Sequence, residues 1–197
     1  MSPTCFLEGS KILCLINNRE VYVPIEKIKR GMLVKTNFNG YYKPVELIGY
    51  SVIDNKFNIK YSTNLTNLTN SSRSDNYIEE PESLLYKCSK ENYPELDEDL
   101  IITENHSILV DRLTEKQKEK TKKKLGDIYK THNKFRLIAS IDERAEPWLV
   151  PGKHTIWHIA LVNDKLDHNY GIYANGGLLV ESISINTLKN KSNMILV

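Results

Sequence analysis

The chain has 197 residues, of which 40% are hydrophobic and 26% charged, and its formal net charge is +2 at pH 7. This length suits one domain with a full core, and so small a net charge argues against an electrostatically driven nucleic-acid partner. We expect no membrane span and no signal peptide, because no run of about 18 apolar residues and no charged-then-apolar leader is present.

The first notable residue is Cys5, which stands close to the N-terminus. Through a five-membered ring its thiol can attack the carbonyl of Thr4, so that an amide becomes a thioester without a diffusion step. That exchange requires a proton donor for the departing nitrogen and a hydrogen-bond donor for the oxyanion. If it occurs, Thr4–Cys5 is the scissile bond, and residues 1–4 are the stub of an upstream flank.

Short segments rich in β-branched and aromatic residues recur along the chain between Asn, Gly and Asp turn residues. They predict strands at 12–16, 20–24, 32–36, 42–50, 58–61, 100–102, 107–110, 135–140, 155–162, 170–174 and 178–185. Asn17-Asn18 and Asn39-Gly40 are typical of hairpin turns, and Asn175-Gly176-Gly177 of a tight turn between the last two strands. The pattern predicts an all-β fold.

Two segments interrupt the strand pattern. Residues 62–82 are polar and repetitive and predict a flexible loop, in which three Asn-x-Ser/Thr sequons are best explained by the Asn-rich composition. Residues 111–150 form an insert that starts with a lysine-rich helix capped by Thr114. Its lysines are more typical of a solvated face than of a nucleic-acid site.

Thr103 and His106 supply a hydroxyl and an imidazole within one short segment after a predicted strand. A histidine near its ordinary pKa of about 6.5 can hold or release a proton at neutral pH. Taken alone, such a pair is common and carries little information.

The chain has three cysteines and no C-x-x-C spacing, so we predict neither a metal site nor a cofactor. An odd count fits no complete disulfide framework, and an intracellular reducing compartment would preserve a catalytic thiolate. Cys14 lies in an apolar run and is predicted to be core.

These segments together resemble the Hint family of hedgehog C-terminal domains and inteins, and in particular the Hint modules encoded by large DNA viruses. The resemblance is carried by residues 5–13, residues 23–34, the Thr103 and His106 pair, residues 154–162, residues 168–176 and residues 179–181. It implies the Hint fold, a horseshoe-like pseudo-two-fold β structure with a short helical insert. Residues 5–197 would form this single domain.

The resemblance also implies an N-terminal acyl shift. Cys5 would attack the Thr4 carbonyl, His106 would protonate the departing nitrogen, and Thr103 would help to hold the scissile peptide and its oxyanion. His158 falls where inteins carry a polar catalytic group and could orient or deprotonate Cys5; it could equally be a partly buried strand histidine satisfied by backbone. His154 and His168 are expected to be structural.

The C-terminal motif departs from the family. Where an intein would read Val-His-Asn, this chain has Val180-Glu181-Ser182, so neither group needed for asparagine cyclisation is present and splicing is not expected. A hedgehog-like outcome remains, in which water, a thiol, an amine or a lipid alcohol takes the acyl group and a monomer cuts only its own N-terminal flank. Tyr50, with Asp54 four residues on, stands near the position of the acidic residue that activates sterol in hedgehog domains, which argues against sterol transfer.

Two other classes of function remain open. The altered C-terminal motif is compatible with a catalytically impaired Hint scaffold that serves as a binding or interaction module, although Cys5, Thr103 and His106 are all present. A cysteine protease acting in trans would need an orienting group and a cleft near Cys5, and no C-G-S-C-W neighbourhood occurs.

Overall fold

The computed structural model describes residues 4–56 and 84–197. Over these residues the chain forms short and long β-strands, one α-helix, and one 3-10 turn at Ile25–Lys27. The strands are β1 (Phe6–Leu7), β2 (Lys11–Ile16), β3 (Arg19–Pro24), β4 (Leu33–Lys35), β5 (Tyr42–Asn55), β6 (Leu85–Cys88), β7 (Leu100–Thr103), β8 (Ser107–Val110), β9 (Lys130–Thr131), β10 (Lys134–Ile138), β11 (Glu146–Pro147), β12 (Gly152–Leu161), β13 (Gly171–Ala174), β14 (Leu178–Glu181) and β15 (Ile195–Leu196). The predicted strand at 58–61 and the predicted loop at 62–82 lie outside the described residues.

The strands are joined by antiparallel pairing in the order β11-β6-β7-β1-β12-β5-β4-β2-β13-β14-β8-β10-β9, with β3 on β2 and β15 on β5. The longest pairing joins β5 and β12, from Gly152 opposite Asn55 to Leu161 opposite Val45, with a register shift between Ala160 and Leu161. Because β5 also pairs with β4 near its start, it connects the two halves of the strand order. The all-β prediction is confirmed.

The predicted hairpin turn between β2 and β3 has the expected backbone conformation. Asn17 and Asn18 have φ angles of 50° and 58°, the left-handed region that asparagine tolerates better than most residues. Asn39 in the next predicted turn has a φ of 53°. These asparagines therefore fix the strand register on either side of each turn.

The apolar side chains form a main core, a smaller cluster beside the N-terminus and a third around Leu113 and Leu137. The main core contains Ile12, Val34 and Ile172 from the strands around β2. The smaller one is here called the Cys5 cluster, and its buried members are Cys5, Leu85, Ile156, Ala160, Ile183, Leu188 and Met194. The N-terminal thiol is thus part of a hydrophobic cluster built from both ends of the chain.

The charged helix predicted in the insert is present as α1 (Glu115–Leu125). Thr114 caps it: the Thr114 hydroxyl accepts from the Gln117 amide at 3.2 Å, and the Gln117 side chain accepts from the Thr114 amide at 3.0 Å. Only Thr121 of this helix is buried, so its lysines face solvent. No helix among the described residues has the length and apolar character needed to cross a membrane.

Candidate functional site

The main chain of Cys5 is held by the end of β7. Phe6 of β1 lies opposite Ile102 of β7, and one step further along the Thr103 amide donates to the Cys5 carbonyl at 3.0 Å. The other side of β1 pairs with β12, where Phe6 faces Trp157. A segment of two residues is therefore fixed between two strands that lie far away in the sequence.

The hydroxyl of Thr103 replaces a ladder hydrogen bond at the Cys5 nitrogen. In a regular antiparallel pair the Cys5 amide would donate to the Thr103 carbonyl. That carbonyl instead accepts from the His106 amide at 3.0 Å, because the chain turns sharply after β7. The Cys5 amide donates to Thr103 Oγ1 at 2.8 Å, and the same hydroxyl lies 3.4 Å from the Cys5 carbonyl oxygen. A buried hydroxyl thus contacts the nitrogen that acyl transfer would release.

The His106 side chain lies against the carbonyl of Cys5, with Nδ1 3.2 Å from the oxygen. A carbonyl can only accept, so this contact requires the tautomer that carries its proton on Nδ1. The ring is fully buried. Phe6 packs edge-on against it, with 4.4 Å between ring centres, and His158 stacks on it with 5.3 Å between ring centres. The Thr103 hydroxyl thus contacts the Cys5 nitrogen, and the imidazole contacts the carbonyl oxygen of the same residue.

Burial sets the protonation state of His106. It lowers the pKa of the ring to about 4, although the main chain of Cys5 and that of Glu181 raise it in part. Nε2 has no hydrogen-bond partner among the described residues. At neutral pH the ring is an uncharged base.

His158 supports His106 rather than Cys5 in this arrangement. Its Nδ1 accepts from the amide of Ile159 at 3.0 Å, and its pKa is lowered well below the ordinary value by burial and by the nearby His106. Phe6 packs edge-on against both rings. Of the two roles open from the sequence, the described contacts match the buried strand histidine satisfied by backbone, and they also place this ring where it holds His106.

The thiol of Cys5 is covered by a residue that sequence reasoning missed. Sγ lies 3.8 Å from Sδ of Met194, near the other end of the chain, and Cys5 has no exposed surface. Removal of water raises the pKa of this thiol far above its ordinary value. A single methionine in a polar tail carries no periodic signal, so the contact could not be inferred from the sequence.

Glu181, which replaces a histidine of the resembled motif, is committed to a polar network. Its carboxylate accepts from the Arg136 guanidinium at 2.8 Å and from the hydroxyl of Thr131. The residue is almost fully buried, so this pairing compensates a charge removed from water. The side chain faces this network while its main chain lies near His106.

The remaining sequence candidates lie elsewhere. His154 contacts the Val150 carbonyl at 3.2 Å, and His168 lies 2.8 Å from His132 between their Nε2 atoms. Cys14 is buried in the main core, as predicted, and burial raises its pKa to about 11. Tyr50 stacks obliquely against Trp157 on the surface of the β5–β12 pair.

Within the described ranges, no group of three or more His, Cys, Asp or Glu side chains is arranged to hold a metal ion. A groove of about 680 Å³ runs past Asn37, Ile108, His132 and Leu178, and its lining includes none of the residues around Cys5. The residues around Cys5 are buried and lie apart from this groove.

No protein-family model matches the sequence, and no curated protein is significantly similar to it.

Proposed function

We propose that the chain is a Hint-type autoprocessing domain that cuts the Thr4–Cys5 peptide bond in cis. The observation that carries the proposal is the pair of contacts on the Cys5 main chain: Thr103 Oγ1 lies 2.8 Å from the nitrogen of the Thr4–Cys5 peptide, and His106 Nδ1 lies 3.2 Å from the Cys5 carbonyl oxygen, both side chains buried. These are the three residues to which the resemblance to Hint domains assigns the acyl shift. Their convergence supports one shared role.

The proposed first step is an N-to-S acyl shift. The Cys5 sulfur bonds to the Thr4 carbonyl carbon, the bond from that carbon to the Cys5 nitrogen breaks, and the thiol proton ends on the nitrogen. A hydroxyl both accepts and donates. Thr103 therefore accepts the N–H of the resting peptide and turns its own proton towards the nitrogen as that atom becomes tetrahedral.

His106 supplies the proton for this relay. As a neutral ring it takes up the thiol proton, and the imidazolium so formed is a strong acid because burial lowers its pKa to about 4. At rest Nδ1 donates to the Cys5 oxygen, so the thiol proton is taken up at Nε2. The imidazolium then turns from that oxygen to the Thr103 hydroxyl, which passes a proton to the Cys5 nitrogen and receives one from the ring. His158 acts as a positioning residue, through its stacking on His106.

The second step is transfer of the acyl group to a small nucleophile such as water, a thiol or a lipid alcohol. The nucleophile bonds to the acyl carbon, the carbon–sulfur bond breaks, and the proton of the nucleophile returns to the Cys5 sulfur. Glu181 and Ser182 offer no cyclising amide, and the Glu181 carboxylate is held by Arg136. The proposal is therefore cleavage on the N-terminal side without splicing.

A reporter fused upstream of Thr4 tests this function. Hydroxylamine or dithiothreitol should release the reporter from the wild-type fusion, because each attacks a thioester far faster than an amide. Cys5→Ala should abolish release, whereas Cys14→Ala should retain it, since Cys14 lies in the main core. Equal release from the Cys5→Ala fusion would contradict the acyl shift.

A second candidate is a Hint-like scaffold that no longer cleaves and serves as a binding module. It is favoured by the state of the resting thiol, which is fully buried, has a strongly raised pKa and lies under Met194. A fusion that stays intact with hydroxylamine at every pH at which it remains folded would favour this alternative. Cys5-dependent release would exclude it.

A further inference from the structure

The C-terminal tail returns to the site after β14. A parallel bridge joins Ile183 to Ala160 of β12, and a π-helical turn follows at Thr187–Lys191. β15 then pairs with β5, with Ile195 opposite Tyr50 and Leu196 opposite Gly49. Residues 186–197, here called the tail, therefore lie across the middle of β5.

Two side chains of the tail point inward. Leu188 and Met194 are buried, and both belong to the Cys5 cluster. They approach β5 closely because residue 49 is a glycine: a Cβ built there would lie 3.1 Å from Leu188 Cδ1 and 3.1 Å from Met194 Cβ. The thioether of Met194 then lies 3.8 Å from the Cys5 sulfur.

The attachment of the tail is slight compared with that of the strands beneath it. β15 has two residues, and Ile195 and Val197 are 58% and 69% exposed. β5 and β12, by contrast, pair over ten residues of β12. Segments with few buried contacts open locally at a lower free energy than the global unfolding free energy. The tail can thus leave while the sheet persists.

We propose that the tail is a gate on the acyl acceptor and that Met194 is its specificity-determining residue. This inference rests on the proposed function, since it concerns which nucleophile resolves the Cys5 thioester. While the tail is docked, Met194 and Leu188 exclude water and bulky nucleophiles from the sulfur. The acceptor enters when residues 186–197 lift from β5. Until then, the docked tail suppresses hydrolysis of the thioester.

Alkylation of Cys5 by iodoacetamide tests the gate without relying on cleavage. The rate is measured by peptide mapping on the full chain, for the wild type and for two variants that act from opposite sides. Met194→Ala removes the covering side chain. Gly49→Ala leaves the tail sequence intact but places a Cβ against Leu188 and Met194. Ile195→Ala, an exposed position in the same strand, is the matched control.

We expect Met194→Ala and Gly49→Ala to raise the alkylation rate of Cys5 about tenfold or more, which corresponds to ~1.4 kcal/mol removed from tail docking. Ile195→Ala should change it by less than about twofold, the usual effect of a surface substitution. Met194→Leu, which conserves volume, should restore protection. Cys14 and Cys88, buried in the main core, report global unfolding and should stay protected.

Two results would overturn the gate: equal Cys5 alkylation in all variants, or a parallel rise at Cys14 and Cys88. Cleavage of the reporter fusion by hydroxylamine and by glutathione separates this outcome from failure of the proposed function. If Met194→Ala exposes Cys5 and no fusion cleaves, the tail covers the thiol as inferred and the proposed cleavage fails. If fusions cleave at equal rates with and without Met194, the cleavage stands and the gate is wrong.

Discussion

At the scale of single residues, the resting site pairs an uncharged nucleophile with an uncharged base. Burial raises the pKa of Cys5 and lowers that of His106, so both groups stay neutral at pH 7. Neutral groups are the only ones that a cluster of apolar side chains accommodates at low cost. The same burial makes the protonated ring a strong acid, which is the property that release of an amide nitrogen requires.

His106→Ala should slow Cys5-dependent cleavage by about 10²–10⁴, the usual contribution of a positioned acid or base. The rate constant is measured on the upstream reporter fusion by gel densitometry with dithiothreitol present. His154→Ala is the matched control, because that ring contacts the Val150 carbonyl and packs edge-on against Trp148 rather than against the Cys5 peptide. A His106→Ala fusion that cleaves at the wild-type rate would remove the imidazole from the mechanism.

At the scale of elements, the site depends on how β1, β7 and the turn after β7 share their hydrogen bonds. The His106 amide donates to the Thr103 carbonyl, which in a regular ladder would accept from the Cys5 amide. The Cys5 amide donates to the Thr103 hydroxyl instead. One short turn therefore creates the contact with the Cys5 nitrogen and orients the imidazole.

Thr103→Val keeps the shape of the side chain and removes its hydroxyl, which leaves the Cys5 amide buried without its partner. We expect a loss of about 1–3 kcal/mol in unfolding free energy and a cleavage rate below that of wild type. Thr103→Ser should retain most of both, since the hydroxyl is kept. Urea unfolding and the fusion cleavage assay measure the two effects, and a Val variant that cleaves as fast as the Ser variant would make the hydroxyl purely structural.

Elements with strong local signals could be predicted from the sequence. The bounds of β8 match the predicted 107–110, and the β2–β3 turn at Asn17-Asn18 has the predicted left-handed conformation. β5 extends to Asn55, five residues beyond the predicted end at Tyr50, because β12 pairs with it along that polar stretch. β1 and β15 have two residues each and exist only through their partners. Such pairing is tertiary and leaves no local pattern.

The resemblance named Cys5, Thr103 and His106 as candidates, but the contacts among them could not be predicted from the sequence. The contact of the Thr103 hydroxyl with the Cys5 nitrogen depends on the turn after β7. The contact of Met194 with the Cys5 sulfur joins residues 189 positions apart in the sequence.

At the scale of the whole molecule, both ends of the chain pack into the Cys5 cluster. The histidines buried beside it make the unfolding free energy depend on pH. An unfolded histidine titrates near pH 6.5, whereas His106 in the fold stays neutral down to about pH 4. Between these values the unfolded chain binds more protons. The unfolding free energy therefore falls as the pH is lowered through this window and gains nothing from His106 above it.

We expect His106 to account for a loss of ~3 kcal/mol between about pH 6.5 and pH 4, at about 1.4 kcal/mol per pH unit. His158, whose pKa is also lowered, acts in the same direction. Urea unfolding of the wild type and of His106→Gln at both pH values isolates the contribution of this ring from that of the carboxylates. An equal pH dependence in the two proteins would contradict the neutral, buried state assigned to His106.

The most direct test of the acyl shift is the intact mass of a fusion that carries a reporter upstream of Thr4, recorded with and without hydroxylamine. The account predicts a released reporter that ends in Thr4 hydroxamate and a remaining chain that begins at Cys5, with neither product formed from Cys5→Ala. A fusion whose mass stays unchanged in hydroxylamine, or one that is cut equally after Cys5→Ala, would contradict it.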